Sequence, residues 1–380
     1  MILAPVAFYA PLKSPDDPSP SGDRTMARLL MKALAGAGYA PRLASTLRTR
    51  DGAGDPARQA GIRAASDDEA RRLIAHFGSL PDEERPRLWF TYHVYYKAPD
   101  WIGPAVSEAL GIPYVVAEGS RAGKRAQGAW ALGHQGAEAA LDRAALVFVM
   151  TASDRVALEP ARPEFQALVD LPPFLDADEW GHEEPAPRPR RADGATPRLL
   201  TVAMMRPGDK LASYRILADS LRQLADVPWS LDVVGDGEAR GCVEGAFGEL
   251  GGRVRFLGQI DGREPLRRVY AAADLFVWPA VNEAYGMALL EAQLLGCPVV
   301  AGNWGGVSSV VRNGETGILA APGDSRGLAD AVRDLLGDPP RLAAMGSAAG
   351  RFVRSERSLE GASDRLRRAL QPLVADRVGS

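Results

Sequence analysis

Cysteine, histidine and lysine are all scarce in this 380-residue chain, and each scarcity closes off a class of function. The two cysteines, Cys242 and Cys297, fall in helical or core-like stretches. That favours reduced thiols in a cytoplasmic chain over a disulfide scaffold. The four histidines, His76, His93, His134 and His182, stand in no Cys/His spacing that would bind structural zinc. No apolar run approaches the roughly 18 residues of a membrane-spanning helix. The opening segment MILAPVAFYAPL lacks a basic start and reads as a first buried strand, not as a signal peptide. There is no G-x-x-x-x-G-K-[ST] loop and no G-x-S-x-G elbow, which disfavours P-loop nucleotidases and serine hydrolases of the elbow type.

A strong charge of either sign is also missing. Net charge is −3, and residues 1–178 carry 20 basic against 22 acidic side chains. A protein that tracks nucleic acid shows a positive excess or stripe, and none is present. Arg48, Arg50, Arg58, Arg63, Arg71 and Arg72 alternate with Asp51, Asp55, Asp67, Asp68 and Glu69, the pattern of a solvated helical face. Peripheral contact with an anionic membrane stays open, because a local basic surface can hide in a neutral total.

What the chain does have is a β-α rhythm. With 46% apolar and 24% charged residues it is a globular protein too long for one ordinary core. In the second half, strand-like runs recur at LLTVAM (199–204), SLDVVG (230–235), VRFLGQI (254–260), DLFVWPA (274–280), PVVAG (298–302) and GILAA (317–321), separated by helix-length segments. The first half repeats this less regularly, with strands at PVAFYAP, PRLAST, LWFTYH, YVVAEGS and LVFVMTA. Helices are expected there at 24–37, about 66–78, 100–110 and 123–143. Such repetition calls for parallel sheets with right-handed crossovers, an α/β class. The Pro-, Arg- and acid-rich stretch 176–197 separates the halves. The expected division is a first domain at 1–178, a linker at 179–196, a second domain at 197–355 and a closing amphipathic helix within 356–380.

The most informative spacing is Glu283 to Glu291. Glu283 ends an apolar strand-like run, Gly286 marks a turn, and Glu291 lies in the helix MALLEAQLLG. A strand, a glycine turn and a helix N-terminus make an anion site of free N–H groups. A carboxylate down the helix could then reach a sugar hydroxyl of the same ligand. The stretch Glu283-Ala284-Tyr285-Gly286-Met287-Ala-Leu-Leu-Glu291-Ala-Gln-Leu-Leu-Gly296-Cys-Pro298-Val-Val resembles the donor-site signature of the retaining family 4 glycosyltransferases (glycosyl transferases group 1). Ala284 replaces the family's usual glycine; alanine keeps the backbone N–H available.

The resemblance implies a GT-B fold, two Rossmann-like doubly wound parallel-sheet domains facing across a cleft. It implies a sugar moved from a nucleotide-diphosphate sugar, with uridine or guanosine as nucleoside, to a hydroxyl acceptor that is a sugar, a lipid-linked or a small molecule. By the same resemblance Glu291 holds ribose, Glu283 and the backbone of Ala284, Tyr285, Gly286 and Met287 hold the transferred sugar, and Arg206 and Lys210 hold the diphosphate. A guanidinium fork and an ammonium suit phosphate oxygens, and Lys210 is one of only five lysines. Gly235 and Ile260 are placed near the nucleotide, and Gly22 in a β1–α1 loop approaching the donor. Ser21 or Asp23 could equally cap that helix. At the reacting centre, where the family often has a histidine, Glu118 aligns and His93 ends the preceding strand. Either could serve there.

No cofactor or metal is called for. Asp176-Ala-Asp178 matches a D-x-D metal motif but sits beside the linker. A GT-B sugar-nucleotide 2-epimerase and a nucleotide-sugar-binding subunit without turnover are the alternative readings.

Overall fold

The computed structural model describes residues 3–181 and 195–375; residues 182–194, most of the expected linker together with His182, lie outside the described residues. The chain divides into two compact units. Unit 1 comprises Met1–Pro172 with Leu359–Ser380, and unit 2 comprises Pro173–Ser358.

Unit 1 runs β1 (Ala4–Tyr9), α1 (Gly22–Gly36), β2 (Tyr39–Ser45), α2 (Pro56–Ser79), β3 (Leu88–Val94), α3 (Gly103–Leu110), β4 (Tyr114–Gly119), α4 (Ala131–Arg143), β5 (Leu146–Val149), α5 (Ala152–Leu158) and β6 (Ala167–Asp170). Its strands pair in parallel in the order β2-β1-β3-β4-β5-β6. The strands β1, β3, β4 and β5 are near-continuous buried runs because helices flank the sheet, whereas β2 and β6 at its edges are half-exposed. Side-chain alternation places Tyr9, Trp89, Val116 and Val147 in one buried layer with residues of α2, α3 and α4. Phe8, Phe90 and Phe148 line the other face, with neighbouring rings 5.8 and 6.0 Å apart.

Two helices differ from the sequence expectation. α2 starts at Pro56, ten residues before the anticipated 66. Asp55 caps it by accepting the N–H groups of Ala57 and Arg58, and proline is tolerated at a first turn, where its missing N–H costs nothing. The helix expected from 123 breaks into a short 3₁₀ turn, Gly123–Arg125, and α4 from Ala131.

Unit 2 runs β7 (Arg198–Val202), α6 (Asp209–Arg222), β8 (Ser230–Val234), α7 (Arg240–Phe247), β9 (Val254–Gly258), α8 (Arg263–Ala272), β10 (Leu275–Trp278), α9 (Met287–Leu294), β11 (Val299–Gly302), β12 (Gly317–Ala320), α10 (Ser325–Leu336) and α11 (Pro339–Glu356). Its parallel order is β12-β11-β10-β7-β8-β9. The turn Ala177–Trp180, which precedes β7, packs on α8 within this unit. The last helix, α12 (Leu359–Ala375), packs on α1 of unit 1, where Arg367 Nη2 donates to the Gly36 carbonyl at 2.9 Å.

The α/β class read from the sequence is therefore present as two doubly wound parallel sheets. Strand order reverses between β1 and β3 in unit 1 and between β7 and β10 in unit 2. In open sheets of this kind, ligands bind outside the carboxyl ends of the strands at such reversals. The two reversals are where the chemistry of this chain collects.

Candidate functional site

In unit 2, Lys210 sits in the first turn of α6, which follows β7, and Glu283 sits in the loop that follows β10. Lys210 Nζ donates to Glu283 Oε2 across the reversal point. Trp278 Nε1 donates to the same oxygen at 3.3 Å, and the ammonium lies 5.5 Å from the Trp278 ring centroid. The loop is stitched to α6: Val281 N–H donates to Ser213 Oγ at 2.9 Å, and Asn282 Nδ2 to Asp209 Oδ1 at 2.9 Å. Ala280 (φ 56°) and Asn282 (φ 48°) are both left-handed. Backbone held this way costs about 1–3 kcal/mol per residue and collects at functional sites.

Gly286 (φ 78°) turns the chain into α9. Ala284 is exposed and its carbonyl accepts from Gly306 N–H at 2.7 Å, whereas Tyr285 and Met287 are buried. Glu291, on α9, is partly buried, and its Oε2 accepts from the Tyr270 hydroxyl at 2.9 Å. Burial pushes the Glu291 carboxyl up, while Tyr270 and the Arg263 charge pull it down. Arg206 is exposed on the β7–α6 connection; its carbonyl accepts from Leu211 N–H at 3.1 Å. Gly235 ends β8 with φ 139°, and a Cβ there would stand 1.9 Å from the Ala203 carbonyl oxygen. Close approach to its own chain thus already requires glycine at 235. Ile260 is half-buried just past β9.

Unit 1 gathers a second cluster at its own reversal. His93 ends β3 and Glu118 ends β4, both left-handed at φ 66° and 61°. His93 Nδ1 stands 3.2 Å from Asp23 Oδ1 and 3.5 Å from Glu118 Oε1. Gly22 opens α1, and Ser21 Oγ accepts Arg24 N–H as its cap, which leaves Asp23 for His93. Asp154, in the first turn of α5, accepts from Thr151 Oγ1 at 2.5 Å. Burial pushes Glu118 up to about 7, against the pull of His93. Burial would lower His93, but Glu118 and Asp23 outweigh it and raise the imidazole to about 9. Asp154 is raised by burial. Asp23 is held low by His93 although burial opposes this. Glu118 and His93, left as alternatives by the sequence, are therefore one ion-paired group.

Asp176 uses Oδ1 to accept Asp178 N–H at 3.2 Å and so caps the Ala177–Trp180 turn. Among the described residues no group of three or more His, Cys, Asp or Glu side chains is arranged to hold a metal ion, and no helix is long and apolar enough to cross a membrane. Sequence reasoning missed Trp278, Tyr270 and Asp154. Trp278 carried one usable signal, its place at the end of a strand just before the Glu283 loop.

Residues 196–338 match the family model of glycosyl transferases group 1. That match covers less than half of the chain and lies within unit 2. Over 106 residues the chain is 39% identical to D-inositol 3-phosphate glycosyltransferase of Rhodococcus jostii, covering 28% of this chain and 23% of that protein. Over 103 residues it is 40% identical to glycogen synthase of Mycobacterium tuberculosis, covering 27% and 25%. The matches thus span about a quarter of these relatives. Sucrose-phosphate synthase from Thermosynechococcus elongatus superposes with TM-score 0.74 at 20% identity, covering 98% of this chain and 100% of that one. Anabaena HepE in complex with UDP gives 0.70 at 18% identity, covering 97% and 100%. The fold of the chain is GT-B, built of two Rossmann-like units.

Proposed function

We propose that the chain is a retaining, metal-independent glycosyltransferase that moves a sugar from a nucleotide-diphosphate sugar to a hydroxyl acceptor. The observation that carries this reading is the Lys210–Glu283 pair set across the strand reversal of unit 2, with Gly286 and Glu291 on the adjoining turn and helix. Glu291 holds the ribose hydroxyls, and Glu283 with the backbone of 284–287 holds the transferred sugar. Arg206 and Lys210 stabilise the departing diphosphate, where negative charge grows as the sugar leaves. The bond from the anomeric carbon to the phosphate oxygen breaks, and the acceptor oxygen bonds to that carbon from the same face. The acceptor proton passes to a leaving phosphate oxygen, so no covalent intermediate on the protein is needed. His93 and Glu118 serve the acceptor side.

HepE has been solved with UDP and, in another crystal, with UDP-glucose. Uridine diphosphate sugars are therefore the first donors to try. The test is a thermal-shift panel of nucleoside diphosphates and their sugars, followed by donor consumption with and without hydroxyl acceptors, in the presence and absence of EDTA. A ligand at about 100 times its Kd adds about 2.7 kcal/mol of stability. The reading expects stabilisation by a sugar nucleotide, acceptor-dependent product of unchanged anomeric configuration, and turnover that survives chelation. Epimerisation without acceptor, or binding without turnover, would replace it with one of the alternatives.

A further inference from the structure

Unit 1 holds a cavity of about 190 Å³ that the chemistry above does not use. It opens between the carboxyl-terminal half of α2 and the strands β1 and β2, beside the amino-terminal half of β1. That is the opposite side of the sheet from the strand ends that carry His93 and Glu118. Its floor is apolar. Ala7 and Leu73, 3% and 1% exposed, belong to the buried layer of this face and line the cavity with Ala44 and Phe77. A cavity of about 150 Å³ lined by such side chains admits benzene, so this one has room for a side chain of leucine or phenylalanine size.

Two opposite charges line the same cavity without meeting. Arg42 lies on the edge strand β2 in register with Ala7, which puts its side chain on the α2 face of the sheet. Glu84 lies in the 3₁₀ turn Asp82–Glu84 that follows α2. Neither side chain makes a hydrogen bond or ion pair among the described residues. The second guanidinium at the cavity, Arg72, is committed to Glu69, with bonds of 2.7 and 2.8 Å. The turn that carries Glu84 is fixed. Arg85 donates to the Leu80 and Gly78 carbonyls at 2.9 Å each, and Arg87 donates from its N–H to the Pro5 carbonyl at 2.8 Å and from Nη2 to the Asp82 carbonyl at 3.1 Å. The turn also follows the carboxyl end of α2, where a cation is favoured.

We propose that this cavity binds a free apolar α-amino acid, with its side chain on the Leu73 floor, its carboxylate on Arg42 and its ammonium on Glu84. A guanidinium fork fits a carboxylate. A simple anion would be attracted by Arg42 and repelled by Glu84, and a simple cation the reverse. A zwitterion satisfies both. A polar side chain would lose its hydration over the apolar floor without gaining a partner, which selects an apolar one. None of these contacts depends on the donor chemistry proposed above, and the two are measured apart.

The experiment is calorimetry on the full chain without nucleotide. The probes are L-phenylalanine and L-leucine, then glycine, which lacks the side chain, 3-phenylpropionate, which lacks the ammonium, and 2-phenylethylamine, which lacks the carboxylate. Phenylalanine or leucine should bind at least about 10-fold tighter than each of the other three. Arg42→Gln and Glu84→Gln should each weaken that binding by about 10-fold or more, the loss of one charge-assisted contact. Arg42→Gln should also erase the preference over 2-phenylethylamine, and Glu84→Gln the preference over 3-phenylpropionate. Both positions are exposed, so both variants should keep the native Tm. No binding of either amino acid, equal binding of 3-phenylpropionate or 2-phenylethylamine, or a preference unchanged in both variants overturns the proposal.

Discussion

The hydroxyl of Tyr270 donates to Glu291 at 2.9 Å, and Trp180 holds that tyrosine from the side with ring centroids 5.9 Å apart. Trp180 is in turn covered by the Arg263 guanidinium at 5.2 Å, and Arg263 pairs with Glu179. A short turn ahead of β7 thus braces the carboxylate assigned to ribose. Burial alone would favour the neutral form of Glu291; the phenol donor favours the charged form and fixes its rotamer. Tyr270→Phe should therefore weaken binding of a nucleoside diphosphate by about 5–30-fold, or about 1–2 kcal/mol, without the full loss caused by Glu291→Ala. Calorimetry on both single variants and the double variant tests this. Additive losses, or no loss in Tyr270→Phe, would deny the tyrosine a positioning role.

The His93 cluster makes a pH prediction of definite sign. His93 is raised from 6.5 to about 9, so its contribution to stability is full below 6.5 and is lost as pH rises through 9. Glu118 is raised from 4.5 to about 7, so the folded chain holds that proton more tightly. Its contribution is present below 4.5 and lost as pH rises through 7. Asp23 is lowered, so its contribution is present above 3.8 and lost in more acidic solution. Between pH 5 and 9 the first two act together. Tm of the native chain should fall more steeply over that range than Tm of Glu118→Gln, which removes one titration and relaxes the other. Parallel Tm curves would mean that the cluster does not titrate as a pair.

Much of this was legible locally. Apolar runs such as LLTVAM and DLFVWPA gave the strands of unit 2 within a residue or two, because a strand buried on both faces has no room for polar side chains. β6 escaped notice because Ala167–Asp170 is an edge strand, half-exposed, with no apolar run to betray it. The spacing of Glu283 and Glu291 was visible, but their partners were not. Lys210 and Tyr270 reach them only through tertiary packing. The helix start at Pro56 was readable from Asp55-Pro56 and was missed because the segment after it lacks apolar periodicity.

Gly235 separates a structural from a ligand-contact role. Its φ of 139° and the 1.9 Å approach of an added Cβ to the Ala203 carbonyl make alanine incompatible with the end of β8. Gly235→Ala should cost at least about 2 kcal/mol from backbone strain alone. At about 2–4 °C per kcal/mol for a unit of this size, Tm should drop by about 4 °C or more without any nucleotide present. A normal Tm with selective loss of nucleotide binding would make Gly235 a ligand contact instead.

Arg206 and Lys210 should respond differently to removal, although both are assigned to the diphosphate. Arg206 is exposed, and its guanidinium makes no hydrogen bond or ion pair among the described residues. Arg206→Ala should leave Tm within about 0.5 kcal/mol of native stability. Lys210 is bonded to a half-buried glutamate whose other side-chain donor is Trp278 at 3.3 Å. Lys210→Ala strips a cation from that carboxylate and should cost about 1–3 kcal/mol of stability. In turnover the two should look alike. Negative charge develops on the leaving diphosphate, so a preorganised cation there is worth about 2.7–4 kcal/mol, or roughly 100–1,000-fold in kcat. Neither loss should much affect binding of a nucleoside monophosphate, which lacks the terminal phosphate, and the double variant should lose less than the product of the two, because one leaving group is served. The measurements are Tm, kcat and the Kd values of monophosphate and diphosphate for each variant and the pair. Equal weakening of both nucleotides with kcat unchanged would show that these side chains only support the loop, and the charge-stabilising role assigned to them would be wrong.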